Sequence, residues 1–122
     1  MLRLALLFSI VLVAYDTLAA LIAAAAGVSY NSFVILALVL FFFAGLLAGR
    51  KMRSWLGLVP VAIAAGVEAT AGWYVAWLIG PGYVPGWTVR ALVLMAIESA
   101  LVSICIGAVG VRIGLAVAGT RR

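Results

Sequence analysis

Four apolar stretches dominate this chain, roughly Leu4–Gly27, Ser32–Gly49, Ser54–Ile79 and Thr88–Ile113, with only short connections between them. A run of about 20 predominantly apolar residues matches the hydrocarbon thickness of a bilayer. A backbone in lipid must satisfy its own hydrogen bonds, which leaves helices or closed barrels. These runs are too long and too unbroken for barrel strands, which alternate apolar and polar residues over about 10 positions. The sequence therefore predicts an all-α fold: a polytopic four-helix bundle forming a single transmembrane domain over residues 1–122. Composition points the same way, with 69% hydrophobic and 9% charged residues and a mean hydropathy of +1.37. A soluble domain is about 45–50% apolar and about 25% charged, and a chain of 122 residues has too little interior to hide such an excess.

Met1-Leu2-Arg3 followed by an apolar run has the look of a signal peptide. The run continues through Ala26 without a small-x-small site followed by polar sequence, so it is expected to be the first membrane helix. The connections Val28-Ser29-Tyr30-Asn31 and Arg50-Lys51-Met52-Arg53 are very short, which makes successive helices antiparallel hairpins. The third, from Gly80 to Trp87, is a Pro/Gly turn rich in aromatics. Pro60, in the first turns of the third helix, is placed to kink its entry.

Lys and Arg set the expected orientation. Arg3, Arg50, Lys51, Arg53, Arg112, Arg121 and Arg122 fall on one side, and Arg90 alone on the other. The positive-inside rule makes the first side cytoplasmic, with both termini there and the chain in the plasma membrane. The net charge of +5 is then a topology and headgroup signal rather than a sign of nucleic-acid binding. Tyr30, Trp77, Tyr83 and Trp87 become an outer aromatic belt, with Trp55 at the inner surface. Arg112 is expected to snorkel to the inner headgroups.

Two packing signals stand out. Gly45-x-x-x-Gly49 and Gly110-x-x-x-Gly114 are small-xxx-small pairs of the kind that let helices approach closely in lipid. Ala64, Ala65, Ala71 and Gly72 are expected on the face of Glu68, and Ser9, Ala19, Ala20 and Ala23 on that of Asp16. Gly45 to Arg50 and Gly107 to Arg112 share one spacing, and each hairpin carries a mid-span acid, Asp16 or Glu68. Two hairpins so related would be parallel repeats about an axis along the membrane normal. The simpler reading is that glycine-bearing helices ending in Arg are ordinary in membrane proteins.

All three acids, Asp16, Glu68 and Glu98, fall inside expected spans. Asp16 follows Arg3 by thirteen residues and Glu68 follows Arg53 by fifteen, depths of roughly 20 Å and 22 Å from the basic side at about 1.5 Å per residue. Glu98 lies eight residues from Arg90, about 12 Å down from the other face. In a core about 30 Å thick the three share one layer, and no Lys, Arg or His is expected at that depth. A charged Asp at a helix centre costs about 2.5–3.5 kcal/mol even on the lenient scale. The acids must then be protonated, share protons or a cation, or meet a partner's Arg or Lys. The structural alternative is that each, protonated, bonds a carbonyl or a hydroxyl such as Thr17, Thr70, Ser99 or Ser103 as interhelical glue. On a 3.6-residue helix Trp73 and Tyr74 point away from Glu68, which favours a proton or small cation over a bulky lipophilic one. Leu94, Met95 and Leu101 give Glu98 a greasier surround.

The chain has no His, a single Cys105, and no metal, nucleophile or phosphate-loop motif, so enzymatic chemistry and a cofactor are not expected. Length and helix count are shared with small multidrug transporters and fluoride channels. Asp16 in Ala14-Tyr15-Asp16-Thr17 replaces the Glu setting of the former, and the motifs of the latter are absent, so no family is assigned. Two functions remain. One is binding or translocation of a proton or monovalent cation through Asp16, Glu68 and Glu98, in a homo-oligomer. The other is an accessory subunit of a larger membrane complex, its buried acids meeting a partner's basic residues. The lipid bilayer is a partner in both.

Overall fold

The computed structural model describes residues 1–83 and 85–120. Val84, in the third connection, and Arg121 and Arg122, assigned above to the basic side, lie outside the described residues. Helix α1 runs Leu2–Ala26 and α2 Val34–Met52; α3 (Leu58–Val67) and α4 (Trp73–Ile79) flank a π turn at Glu68–Gly72; α5 runs Val89–Gly119. Single 3-10 turns, Tyr30–Phe33 and Trp55–Gly57, lead into α2 and α3. Together α3, the π turn and α4 make the third of four helices long and apolar enough to cross a membrane. The protein is an all-helical, four-span bundle, and large apolar side chains such as Ile10, Ile35, Leu78 and Val89 are exposed on its outside. In water that surface would drive aggregation; in a bilayer it meets lipid.

The ends of these helices follow from local chemistry. Gly27 closes α1 with φ 66°, and Arg53 closes α2 with φ 51°, donating its N–H to the Gly49 carbonyl at 2.9 Å. The left-handed conformation at a helix end satisfies carbonyls left over by the last turn. Ser54 and Thr88 accept from the N–H groups of Leu56 and Ala91 at 3.2 Å each, which is the usual cure for unpaired donors at a helix start. Pro60 is buried in the first turn of α3, where a missing N–H leaves no bond unmade. At 31 residues α5 is about 46 Å long, longer than the core of a bilayer. Arg112, expected near its end, lies within the helix and is exposed.

The tightest packing is between helices that are not sequence neighbours. Hydrophobic driving force between helices vanishes in lipid, so close van der Waals contact must hold them. Helices α2 and α5 meet backbone to backbone. A Cβ on Gly45 would strike the Gly107 carbonyl, one on Gly49 the Val111 carbonyl, and one on Gly110 or Gly114 the carbonyl of Phe42 or Leu46. Gly45 faces Gly107 and Gly49 faces Val111, a constant offset, so the two helices run side by side in the same direction. The two matching Gly-to-Arg segments are thus the ones in contact. Phe41 and Val61, fully buried, sit beside this seam with Leu4, Phe8, Leu12, Ala48, Ala64 and Ala65. Helix α1 leans on the third span rather than on α2. An apolar groove of about 240 Å³ separates α1 from α2 between Phe8, Leu12, Leu40 and Phe43. The first hairpin is therefore splayed, while α5 packs against both α2 and α3.

This seam makes a graded prediction. Gly110→Leu, which would force α5 off the Phe42 carbonyl, should cost about 1–3 kcal/mol as an overpacked site. Gly66→Ala, with nothing within 4 Å of the added Cβ, should be neutral or stabilising by up to about 1 kcal/mol. Thermal unfolding in detergent compares the two; equal effects would rule out the seam as the tight contact.

Candidate functional site

The π turn is the local feature that shapes the site. Gly66 and Gly72 bracket it, and the Thr70 hydroxyl donates to the Gly66 carbonyl at 2.7 Å. A hydroxyl bonding back along a helix competes with the backbone ladder, and such insertions bend or widen the helix. The Trp73 N–H donates to the Glu68 carbonyl, five residues back. In a regular helix residues five apart diverge by about 140°; an i→i+5 bond stacks them instead. Trp73 is thereby brought to the same cavity as Glu68. The expectation that Trp73 points away is overturned, because it assumed 3.6 residues per turn throughout. The same shift buries Ala69 and leaves Ala71 exposed, contrary to the regular-helix expectation. Tyr74 is exposed, 56% of its surface accessible.

All three acids line one cavity of about 360 Å³. Its walls come from Tyr15 and Asp16 of α1, Tyr30, Asn31 and Phe33 of the first connection, and Val34, Ala37 and Leu38 of α2. Glu68, Ala69 and Trp73 of the third span and Met95 to Ser103 of α5 complete it. Among the described residues no Lys or Arg lines it. One end reaches the connection between α1 and α2; Ser103, at the other, lies one helical turn before Gly107, where the glycine seam begins. The cavity is therefore a vestibule bounded, where α2 meets α5, by backbone contact toward the basic end.

The acids differ sharply inside it. Asp16 is only 3% exposed. Its Oδ1 accepts from the Tyr30 hydroxyl at 3.1 Å, and its Oδ2 is buried with no partner, lodged against Gly72. A Cβ on Gly72 would occupy the place of Oδ2, so this glycine makes room for the carboxyl rather than only for a helix. Glu68 is half-buried with Oε2 likewise unpartnered among the described residues, and it lines the same cavity as Asp16. Glu98 is exposed at the cavity edge, and Leu94 and Leu101 beside it face outward. Ala65 is fully buried in the third span. Among the described residues no three ligating side chains stand close enough to hold a metal ion. The acids share a cavity but do not converge on a point.

Two of the four hydroxyls expected to satisfy the acids bond within their own helices. Thr17 donates to the Val13 carbonyl at 2.8 Å and Thr70 to that of Gly66. The partner of Asp16 is Tyr30, read from sequence as part of an aromatic belt, and Tyr15 donates to the Phe33 carbonyl at 2.6 Å. That second bond ties α1 to the first connection and holds the wall in place. The sequence signal was available: Tyr15 adjoins Asp16, and a short connection returns Tyr30 toward α1.

Fold and cavity define the class, a small multi-pass membrane protein with a buried carboxyl in an aromatic-walled vestibule. No known protein family, curated protein or solved structure is detectably similar to the chain. The burial order can be read chemically. Carbodiimide labelling in nanodiscs, mapped by mass spectrometry, should modify Glu98 fastest and Asp16 slowest; Asp16 reacting as fast as Glu98 would contradict the placement.

Proposed function

We propose that this protein binds a monovalent cation in the carboxyl-lined cavity and exchanges it for protons, as a small transporter or its core unit. The observation that carries the reading is the pair of buried, unpartnered carboxyl oxygens, on Asp16 and Glu68, in a cavity without a basic residue. An unpaired polar group in a low-dielectric interior costs free energy, and two neighbouring carboxylates repel. A cation or a shared proton relieves both costs. Intramembrane acids mark ion and proton pathways for this reason. With the basic end cytoplasmic by the positive-inside rule, the end of the cavity at the first connection faces the outside of the cell.

A second reading rests on Glu98. A carboxyl exposed about a third of the way along α5, beside outward-facing leucines, suits an accessory subunit whose partner supplies an intramembrane Lys or Arg. Purification in mild detergent separates the readings: a stoichiometric partner lost in Glu98→Gln supports the second.

In proteoliposomes, Asp16→Asn and Glu68→Gln should each abolish cation-coupled proton flux, and Glu98→Gln should reduce it. Unchanged flux in all three variants would sink the proposal. Protons and cation compete for the same groups, so apparent affinity should fall as pH is lowered. The titratable groups facing the cavity are Tyr15 and Asp16 on α1, Tyr30, Glu68 and Glu98.

A further inference from the structure

We infer that the cation is organic, a substituted ammonium carrying an apolar or aromatic group, rather than a bare alkali ion. This rests on the carboxyl-site reading above and names its substrate class. Size is the first argument. A cavity of about 360 Å³ exceeds by about tenfold the roughly 30 Å³ share of one water, and it falls within the roughly 300–1,000 Å³ range of small-molecule pockets. A dehydrated alkali ion needs several oxygens converging at short range, and among the described residues no group of three or more His, Cys, Asp or Glu side chains is placed to hold a metal ion. A diffuse charge on a larger body needs no such convergence.

The walls are the second argument. Tyr15, Tyr30, Phe33 and Trp73 contribute aromatic surface to the same cavity as Asp16 and Glu68. Ring faces attract cations through their quadrupoles, Trp most strongly, and quaternary ammonium groups are commonly held this way. Trp73 is there only because the π turn rotates it inward, a departure from regular helix that has a ready use here. The third is Asp16 itself, 97% buried by its 3% exposure, with Oδ2 lacking a protein donor. A quaternary ammonium has no N–H and asks only for negative potential and apolar contact; the Tyr30 hydroxyl already fixes the other oxygen. Val34, Leu38 and Val102 supply the apolar contact.

The test is equilibrium binding of benzyltrimethylammonium to the full-length protein in nanodiscs, beside its uncharged isostere neopentylbenzene and beside sodium and potassium. Benzyltrimethylammonium should bind and the neutral isostere should not. Trp73→Leu should weaken binding about tenfold or more, whereas Tyr74→Leu, on the exposed face, should leave it unchanged. Asp16→Asn should abolish it. Sodium or potassium binding that depends on Asp16, with no benzyltrimethylammonium binding or with no effect of Trp73→Leu, would overturn this inference and leave the carboxyl-site reading standing. No cation binding at all, or binding indifferent to Asp16→Asn and Glu68→Gln, would overturn both. Circular dichroism of each variant guards against loss by misfolding.

Discussion

Backbone contact between α2 and α5 is the constraint on which the rest of the bundle depends. In lipid, helices gain nothing by hiding apolar side chains from one another, so their association relies on close packing. Gly45, Gly49, Gly110 and Gly114 remove side chains that would hold the two backbones apart, and Gly107 makes room for Val61 of α3. The cost is that a seam this tight cannot run the length of the bundle, because Met95, Glu98 and Val102 on α5 and Val34 and Leu38 on α2 are too large for it. The helices diverge where the glycines stop, and the cavity begins there.

Inside the opening, the physical problem is electrostatic. Three carboxyls face a space with no basic side chain, and a single tyrosine hydroxyl answers one of their oxygens. Purely structural acids in membranes find partners within the fold, because an unsatisfied polar group in hydrocarbon costs several kcal/mol. Here the hydroxyls nearest in sequence, Thr17 and Thr70, are spent on their own helices. The Thr70 bond accompanies the π turn that brings Trp73 into the wall. Charge, aromatic surface and volume thus trace back to a few residues around Gly72.

Four spans were legible because span length is set by the bilayer and the apolar runs are nearly uninterrupted. The glycine pairs were legible as close-packing sites, although their partners were not, since pairing across hairpins depends on how helices tilt. Shared placement of Asp16, Glu68 and Glu98 followed from counting rise per residue from the basic anchors. What counting could not give was rotation. A regular helix was assumed through Glu68–Gly72, and one π turn changes which side chains face inward from there on. Tyr30 was missed for a related reason: an aromatic beside a connection reads as an interfacial anchor until the fold of that connection is known.

The central claim, that Asp16 and Glu68 together form a cation site, is most directly tested on the carboxyl groups themselves. Infrared difference spectra recorded on adding benzyltrimethylammonium, and separately sodium, to protein in nanodiscs report their protonation and bonding. The account predicts a change in carboxyl bands on cation addition, with one component removed by Asp16→Asn and another by Glu68→Gln. A saturating cation that leaves the carboxyl region unchanged, or a change that survives both substitutions, would contradict it.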